Sequence, residues 1–166
     1  MPVTAEVRLS VSGHHTSPLD LGSANLPFTL AAALSLLSGT GANQADRVFT
    51  DQRTLNASAT EDLDLAAVLI DAFGAAITFA TIKAIFITAA EGNTNDVLVT
   101  RPAANGVPLF TAVSSGLPVK PGGAFVWCCP GTGVVVTPGT GDLITITNGG
   151  AGTPVTYDIV ILGTSA

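Results

Sequence analysis

PGGAFVWCCPGTGVVVTPGTGDLITITNGGAGTPVTYDIVILG, residues 121–163, decides the fold class. Four short runs rich in β-branched and aromatic residues, 124–129, 134–137, 143–147 and 155–162, are separated by turn-forming clusters. The clusters are Pro121-Gly122-Gly123, Pro130-Gly131-Thr132-Gly133, Pro138-Gly139-Thr140-Gly141-Asp142 and Asn148-Gly149-Gly150-Ala151-Gly152. Branched side chains suit a pleated sheet, Gly and Pro supply the turns, and runs this short are strands rather than helices.

Upstream the pattern persists. Val3, Ala5, Val7, Leu9 and Val11 alternate with Thr4, Glu6, Arg8, Ser10 and Ser12, the period of a half-buried strand. The stretch Gly13-His14-His15-Thr16-Ser17-Pro18 is expected to break it. Residues 26–37 are rich enough in Ala and Leu for a helix, but Phe28, Leu30, Ala32, Leu34 and Leu36 share one strand face, and a strand is preferred. Residues 47–54 and 58–65 read as two more strands. Residues 68–74 read as a turn or one helical turn closed by Gly74. Residues 76–88 form the strongest strand, apolar on both faces and so central, with Lys83 its only charge. A turn over 91–96 leads to a strand over 97–100, stopped by Pro102. Residues 103–121 read as loop with a brief strand at Leu109-Phe110. The expected fold is all-β: one β-sandwich domain over 1–166, jelly-roll-like, with about eight to ten short antiparallel strands. Residues 1–25 are expected to form an inter-subunit arm or edge strand.

The surface is the anomaly. Charged residues make up 11% of the 166, against roughly 25% in an ordinary soluble domain, and mean hydropathy is +0.53. So few charges leave too little polar cover for a whole surface. No uninterrupted run reaches the about 20 apolar residues of a spanning helix, because Asp71 and Lys83 break 65–90. The first residues carry no basic stretch of an export signal. The expectation is a chain folded in a cytosol, with no membrane partner, whose apolar exterior is covered by other subunits. Net charge is −6, and the cations Arg8, Arg47, Arg53, Lys83, Arg101 and Lys120 are dispersed. Direct nucleic-acid binding is therefore not expected.

No residue constellation carries chemistry. Glu61, Asp62, Asp64 and Asp71 form the richest acidic cluster. Asp62 and Asp64 share a strand face that suits a hard cation or, more simply, solvent, and the spacing of a calcium loop is missing. His14 and His15 lie near no nucleophile motif. Cys128 and Cys129 are adjacent and read as two reduced, small hydrophobes on opposite strand faces, with a strained vicinal disulfide as the minor alternative; only His14 and His15 are available to complete a zinc set with them. The Gly-rich stretches lack the Gly-Lys-Ser/Thr ending of a phosphate loop. Phe125 and Trp127 share a face and are read as core rather than as a sugar platform. No catalytic, cofactor-binding or metal residue is assigned, no cofactor is expected, and the chain is read as a non-enzyme.

Several phrases carry a family likeness: Gly39-Thr40-Gly41-Ala42-Asn43-Gln44-Ala45-Asp46, Asp51-Gln52-Arg53-Thr54-Leu55, Leu63-Asp64-Leu65, Asp71-Ala72-Phe73-Gly74, Pro121-Gly122-Gly123, Gly141-Asp142-Leu143 and the closing residues 155–163. Together they resemble small virion structural proteins of tailed bacteriophages, over most of the chain from about residue 39 onward. The resemblance implies a capsid decoration (cement) subunit, a homo-oligomer with a trimer favoured, seated on the major capsid protein or other virion subunits. It places the chain in a virion assembled in the host cytoplasm. A tail, baseplate or fibre-tip component with receptor or glycan contact is the alternative reading, and a small β-sandwich carbohydrate-binding module or enzyme is a third.

Overall fold

A computed structural model describes residues 2–67 and 69–166, and these contain strands, turns and loops but no helix. In chain order the strands are β1 (Ala5–Leu19), β2 (Gly22–Ser38), β3 (Gln44–Ala45), β4 (Arg47–Leu55), β5 (Thr60–Asp64), β6 (Leu69–Ile70) and β7 (Ala76–Ile77). They continue with β8 (Thr81–Ala89), β9 (Val97–Thr100), β10 (Gly116–Val119), β11 (Ala124–Cys128), β12 (Val134–Val135), β13 (Leu143–Asn148) and β14 (Val155–Thr164). The all-β, sandwich-like reading holds.

Two sheets make the body. One has the order β10-β9-β13-β5; the other runs β11-β8-β14-β4, with β12 also paired to β8. Alternation decides what lies between them. Val97, Val99, Ile144, Ile146 and Leu63 from the first sheet meet Phe49, Ile85, Ile87, Tyr157, Ile159 and Ile161 from the second in one buried cluster. β8 is central and mostly buried on both faces, as its doubly apolar sequence requires. Its one charge, Lys83, is 4% exposed, and its Nζ donates to the carbonyls of Gly131 (2.8 Å) and Thr132 (3.4 Å).

Four details depart from the sequence reading. The strand expected over 76–88 is interrupted at 78–80, where Phe79 N–H donates to Leu65 and Ala80 N–H to Thr164. These bonds turn the chain from the β6–β7 hairpin into β8. Residues 69–77 form that hairpin: the expected turn is there, closed by Gly74 at φ 83°, but it is flanked by the paired strands β6 and β7 and is not helical; Val68 lies outside the described residues. No strand forms at Leu109-Phe110, whereas β10 at 116–119 was not anticipated. Finally, β1 does not stop at Gly13: it runs on to Leu19.

That last departure shapes the molecule. β1 and β2 pair rung for rung from Ala5↔Leu36 to Leu19↔Gly22, closing in a two-residue loop at Asp20 and Leu21. Counting outward from the loop, hydrogen-bonded and non-hydrogen-bonded pairs alternate. Pro18 and Pro27 both fall at non-hydrogen-bonded pairs, where a missing N–H costs the ladder nothing. Beyond its root the hairpin leaves the body as an arm, since only Leu37 and Ser38 of β2 pair further, parallel with β3.

Candidate interaction surface

Cross-strand partners point to the same side of a ribbon, so the register sorts the arm into two faces. One carries Ala5, Val7, Leu9, Val11, Gly13 and His15 opposite Leu36, Leu34, Ala32, Leu30, Phe28 and Leu26. It holds no Asp, Glu, Lys or Arg. The other carries Glu6, Arg8, Ser10, Ser12 and His14, with Glu6 and Arg8 ion-paired at 2.8 Å and His14 Nδ1 3.2 Å from Asn25 Oδ1. The arm is an amphipathic ribbon.

Burial of the apolar face falls steeply along its length. At the root Val7 and Leu36 are buried against Ala84 and Leu162, with Val48, Phe86, Cys128 and Val160 packed around them. These belong to the outer face of the second sheet, where cross-strand rows Val48–Leu162–Ala84–Cys128 and Thr50–Val160–Phe86–Val126 run side by side. The next row, Gln52–Asp158–Thr88–Ala124, is largely polar. The arm thus rests on the apolar end of that outer face. Farther out, Leu9 is 44% exposed, Val11 62%, Phe28 49% and Leu30 74%. Phe28 lies across Gly13: a Cβ there would come within 2.6 Å of the ring, so only glycine lets the ring lie flat. Beside the root opens a groove of about 640 Å³ lined by Val3, Ala5, Arg47, Val48, Phe73 and Ile77 among others. Exposed apolar surface of this extent makes the arm and the groove at its root the candidate interaction surface of the molecule.

The residues singled out from sequence are dispersed, and most are already engaged. Glu61 accepts hydrogen bonds from Tyr157 Oη (2.6 Å) and Arg53 Nη1 (2.5 Å), while Arg53 Nε also reaches Asp51 (2.9 Å). Burial and the bond to Glu61 push the Tyr157 hydroxyl well above its ordinary pKa. Asp62 accepts from Thr145 Oγ1 (2.5 Å), Asp64 from Ala66 N–H (2.9 Å), and Asp71 from Phe73 and Ala75 N–H (2.9 Å each). Among the described residues no three His, Cys, Asp or Glu side chains gather around a metal position. The loop 131–133 turns carbonyls toward Lys83, the opposite polarity to an anion cradle. His14 and His15 sit on opposite faces of the arm within β1, not in a turn. Phe125 and Trp127 pack inward against the core, with Phe110 6.0 Å from Phe125, so they form no exposed sugar platform.

Cys128, the last residue of β11, and Cys129, just beyond it, are free thiols. Cys128 faces the arm root, and burial pushes its thiol up. Cys129 is held below its ordinary value by a hydrogen bond from Thr132 Oγ1 (3.4 Å) and by the Gly133 backbone.

The chain matches no known protein family, curated protein or solved structure. Sequence reasoning found both apolar alternations but not their pairing. The signal was present: residues 5–11 and 30–36 carry apolar sets of equal period, symmetric about Asp20 and Leu21.

Proposed function

We propose that this chain is a structural subunit of a tailed-phage virion, a capsid decoration protein that strengthens the shell by adding buried area at junctions between shell proteins. The observation that carries the reading is the arm. Beyond its root, a 15-rung ribbon whose apolar face holds no Asp, Glu, Lys or Arg stands off the body, and an isolated two-stranded hairpin is at best marginally stable in water. A protein that keeps such an element needs other surfaces to cover it. The low charge content fits the same logic, since surfaces buried in an assembly need no polar coat. The phrases quoted from residues 39–163 support the phage setting. The engaged state of the acidic residues supports a structural rather than a chemical role.

In this reading the body sits on the major capsid protein and the arm reaches toward neighbouring subunits. Cryo-electron microscopy of particles from the phage that encodes the chain tests it. Density matching the β-sandwich on the head surface is expected. Density on the tail would replace the decoration role with a tail or fibre role, and absence from purified particles would overturn the virion assignment.

A further inference from the structure

We infer that Asn105 is a site of self-modification, where the backbone nitrogen of Gly106 closes on the Asn105 side chain, expels ammonia and leaves aspartate or isoaspartate. The inference goes beyond the assembly reading and does not depend on it.

Sequence supplies the chemistry and the fold selects the position. Asn is followed by Gly twice, at Asn105-Gly106 and Asn148-Gly149. Glycine has no side chain to hinder attack by its own nitrogen, so these two pairs are the ones disposed to react. The fold treats them oppositely. Asn148 ends β13 and is 2% exposed. Its Nδ2 donates to the carbonyls of Asn56 (3.0 Å) and Thr153 (2.9 Å), and its Oδ1 accepts from Gly150 N–H (3.1 Å). The Gly149 N–H that would attack it donates to the Asp96 carbonyl (2.9 Å). Reaction there requires the end of the core to open first.

Asn105 lies in the loop between β9 and β10 and is exposed, and no hydrogen bond among the described residues holds its side-chain amide. Its backbone carbonyl accepts from the N–H groups of Asp142 (2.8 Å) and Leu143 (2.9 Å). A trans peptide sets its N–H opposite its C=O, so the Gly106 N–H points away from β13; it donates to no described residue. Upstream, residues 103–105 are exposed, and their N–H groups donate to no described residue either. Ring closure pivots about the Cα–C bond of Asn105. The Gly106 side of that bond stays on β13 while the exposed 103–105 side turns. The pair is also built into the fold. Asn105 holds φ 55°, a left-handed conformation that asparagine accepts, and a Cβ at Gly106 would come within 2.6 Å of the Pro102 carbonyl oxygen.

The reaction needs only water. Hydroxide takes the Gly106 amide proton, the nitrogen bonds to Asn105 Cγ, and the Cγ–Nδ2 bond breaks. Nδ2 leaves as ammonia with a proton from water. Water then opens the five-membered ring. Breaking the N–Cγ bond gives aspartate; breaking the former peptide bond gives isoaspartate, whose backbone runs through Cβ and Cγ. Either product adds a negative charge beside the 138–142 turn, and isoaspartate lengthens the chain at the peptide that holds Asp142 and Leu143.

The test ages the purified full chain in mildly alkaline buffer below its unfolding temperature, with a parallel sample in urea. Peptide mass mapping locates amide-to-acid conversion, and methylation by an isoaspartyl methyltransferase counts isoaspartate. In the folded chain Asn105 is expected to convert roughly tenfold or more faster than Asn148; in urea the two rates should converge. Asn105→Gly keeps the left-handed backbone, removes the amide and should abolish the folded-state isoaspartate signal. Equal rates at the two sites in the folded chain would overturn the inference. So would an Asn105 that converts in urea and stays intact when folded, or an isoaspartate signal that survives Asn105→Gly. Absence of the chain from phage particles would sink the virion role and leave this result untouched.

Discussion

In β13, Ile144 and Ile146 alternate with Thr145 and Thr147 and are at most 2% exposed; in β1, Leu9 and Val11 alternate with Arg8, Ser10 and Ser12 and are 44% and 62% exposed. The two strands carry the same pattern. One faces a second sheet across a shared core, and the other faces nothing within its own chain beyond the root. Period-two alternation therefore says which side of a strand avoids water. It does not say which molecule supplies the cover. In the body the cover is intramolecular and the alternation is stability; in the arm the alternation is surplus surface.

The largest difference between the two regions should appear on truncating equivalent side chains. Ile85→Ala removes a fully buried side chain between the sheets. It is expected to cost about 2–5 kcal/mol, transfer and cavity terms together. Leu30→Ala, read under conditions where the chain is monomeric, is expected to stay within about 0.5 kcal/mol. Urea unfolding curves of the two variants measure this. Comparable losses would mean that the arm is covered by its own chain after all.

Lys83 tests the body's tolerance of a buried charge. Lys83→Ala removes the donor that holds the Gly131 and Thr132 carbonyls. A loss of about 1.5–3 kcal/mol is expected, as for hydrogen bonds to charged groups. An unchanged unfolding midpoint would show that the loop 130–133 is held by its backbone alone.

Tyr157 gives a smaller effect with a sharp pH signature. Tyr157→Phe deletes the hydrogen bond to Glu61 and should cost about 1 kcal/mol near neutral pH. The folded-state pKa is raised above the unfolded value of about 10. Stability from this group is thus complete below that pH and declines as pH rises beyond it, because the unfolded chain ionises while the folded one resists. Tyr157 is the sole tyrosine, so tyrosinate absorbance reports on it directly. Ionisation should coincide with alkaline unfolding, and Tyr157→Phe should flatten the alkaline loss. Ionisation at the ordinary value in a folded protein would mean that the hydroxyl is not bound as described.

Legibility in the sequence followed the same division. The strands of 124–162 were readable because each is β-branched and bounded by Gly and Pro clusters. β10 was not, because Gly116-Leu117-Pro118-Val119 lies at a sheet edge and only Val119 is buried, which leaves neither propensity nor alternation to see. The interruption at 78–80 was hidden because Phe79 is core on both sides of the corner. In the arm the two alternations were visible, but the polar run 13–18 and its proline read as punctuation. Pairing with β2 overrode that local signal. The candidate surface was thus half legible: its chemistry followed from residues 5–11 and 26–36, and its geometry required the register.

The smallest effect probes the seam where arm and body meet. Cys128 packs on the buried root beside Val7 and Leu36, whereas Cys129 lies outside that cluster with its sulfur beside Thr132 Oγ1. Thiolate is the reactive form, so Cys129, held below its ordinary pKa, should react with Ellman's reagent several-fold faster than Cys128, pushed above its own. Cys129→Ser should abolish the fast phase and Cys128→Ser should leave it intact. Leu36→Ala loosens the root without touching either sulfur, and it should speed the slow phase alone. If Leu36→Ala leaves both phases unchanged, the arm does not seal the sheet at Cys128. The root would then be as open as the tip, and the steep fall in burial along the ribbon that separates arm from body would be lost.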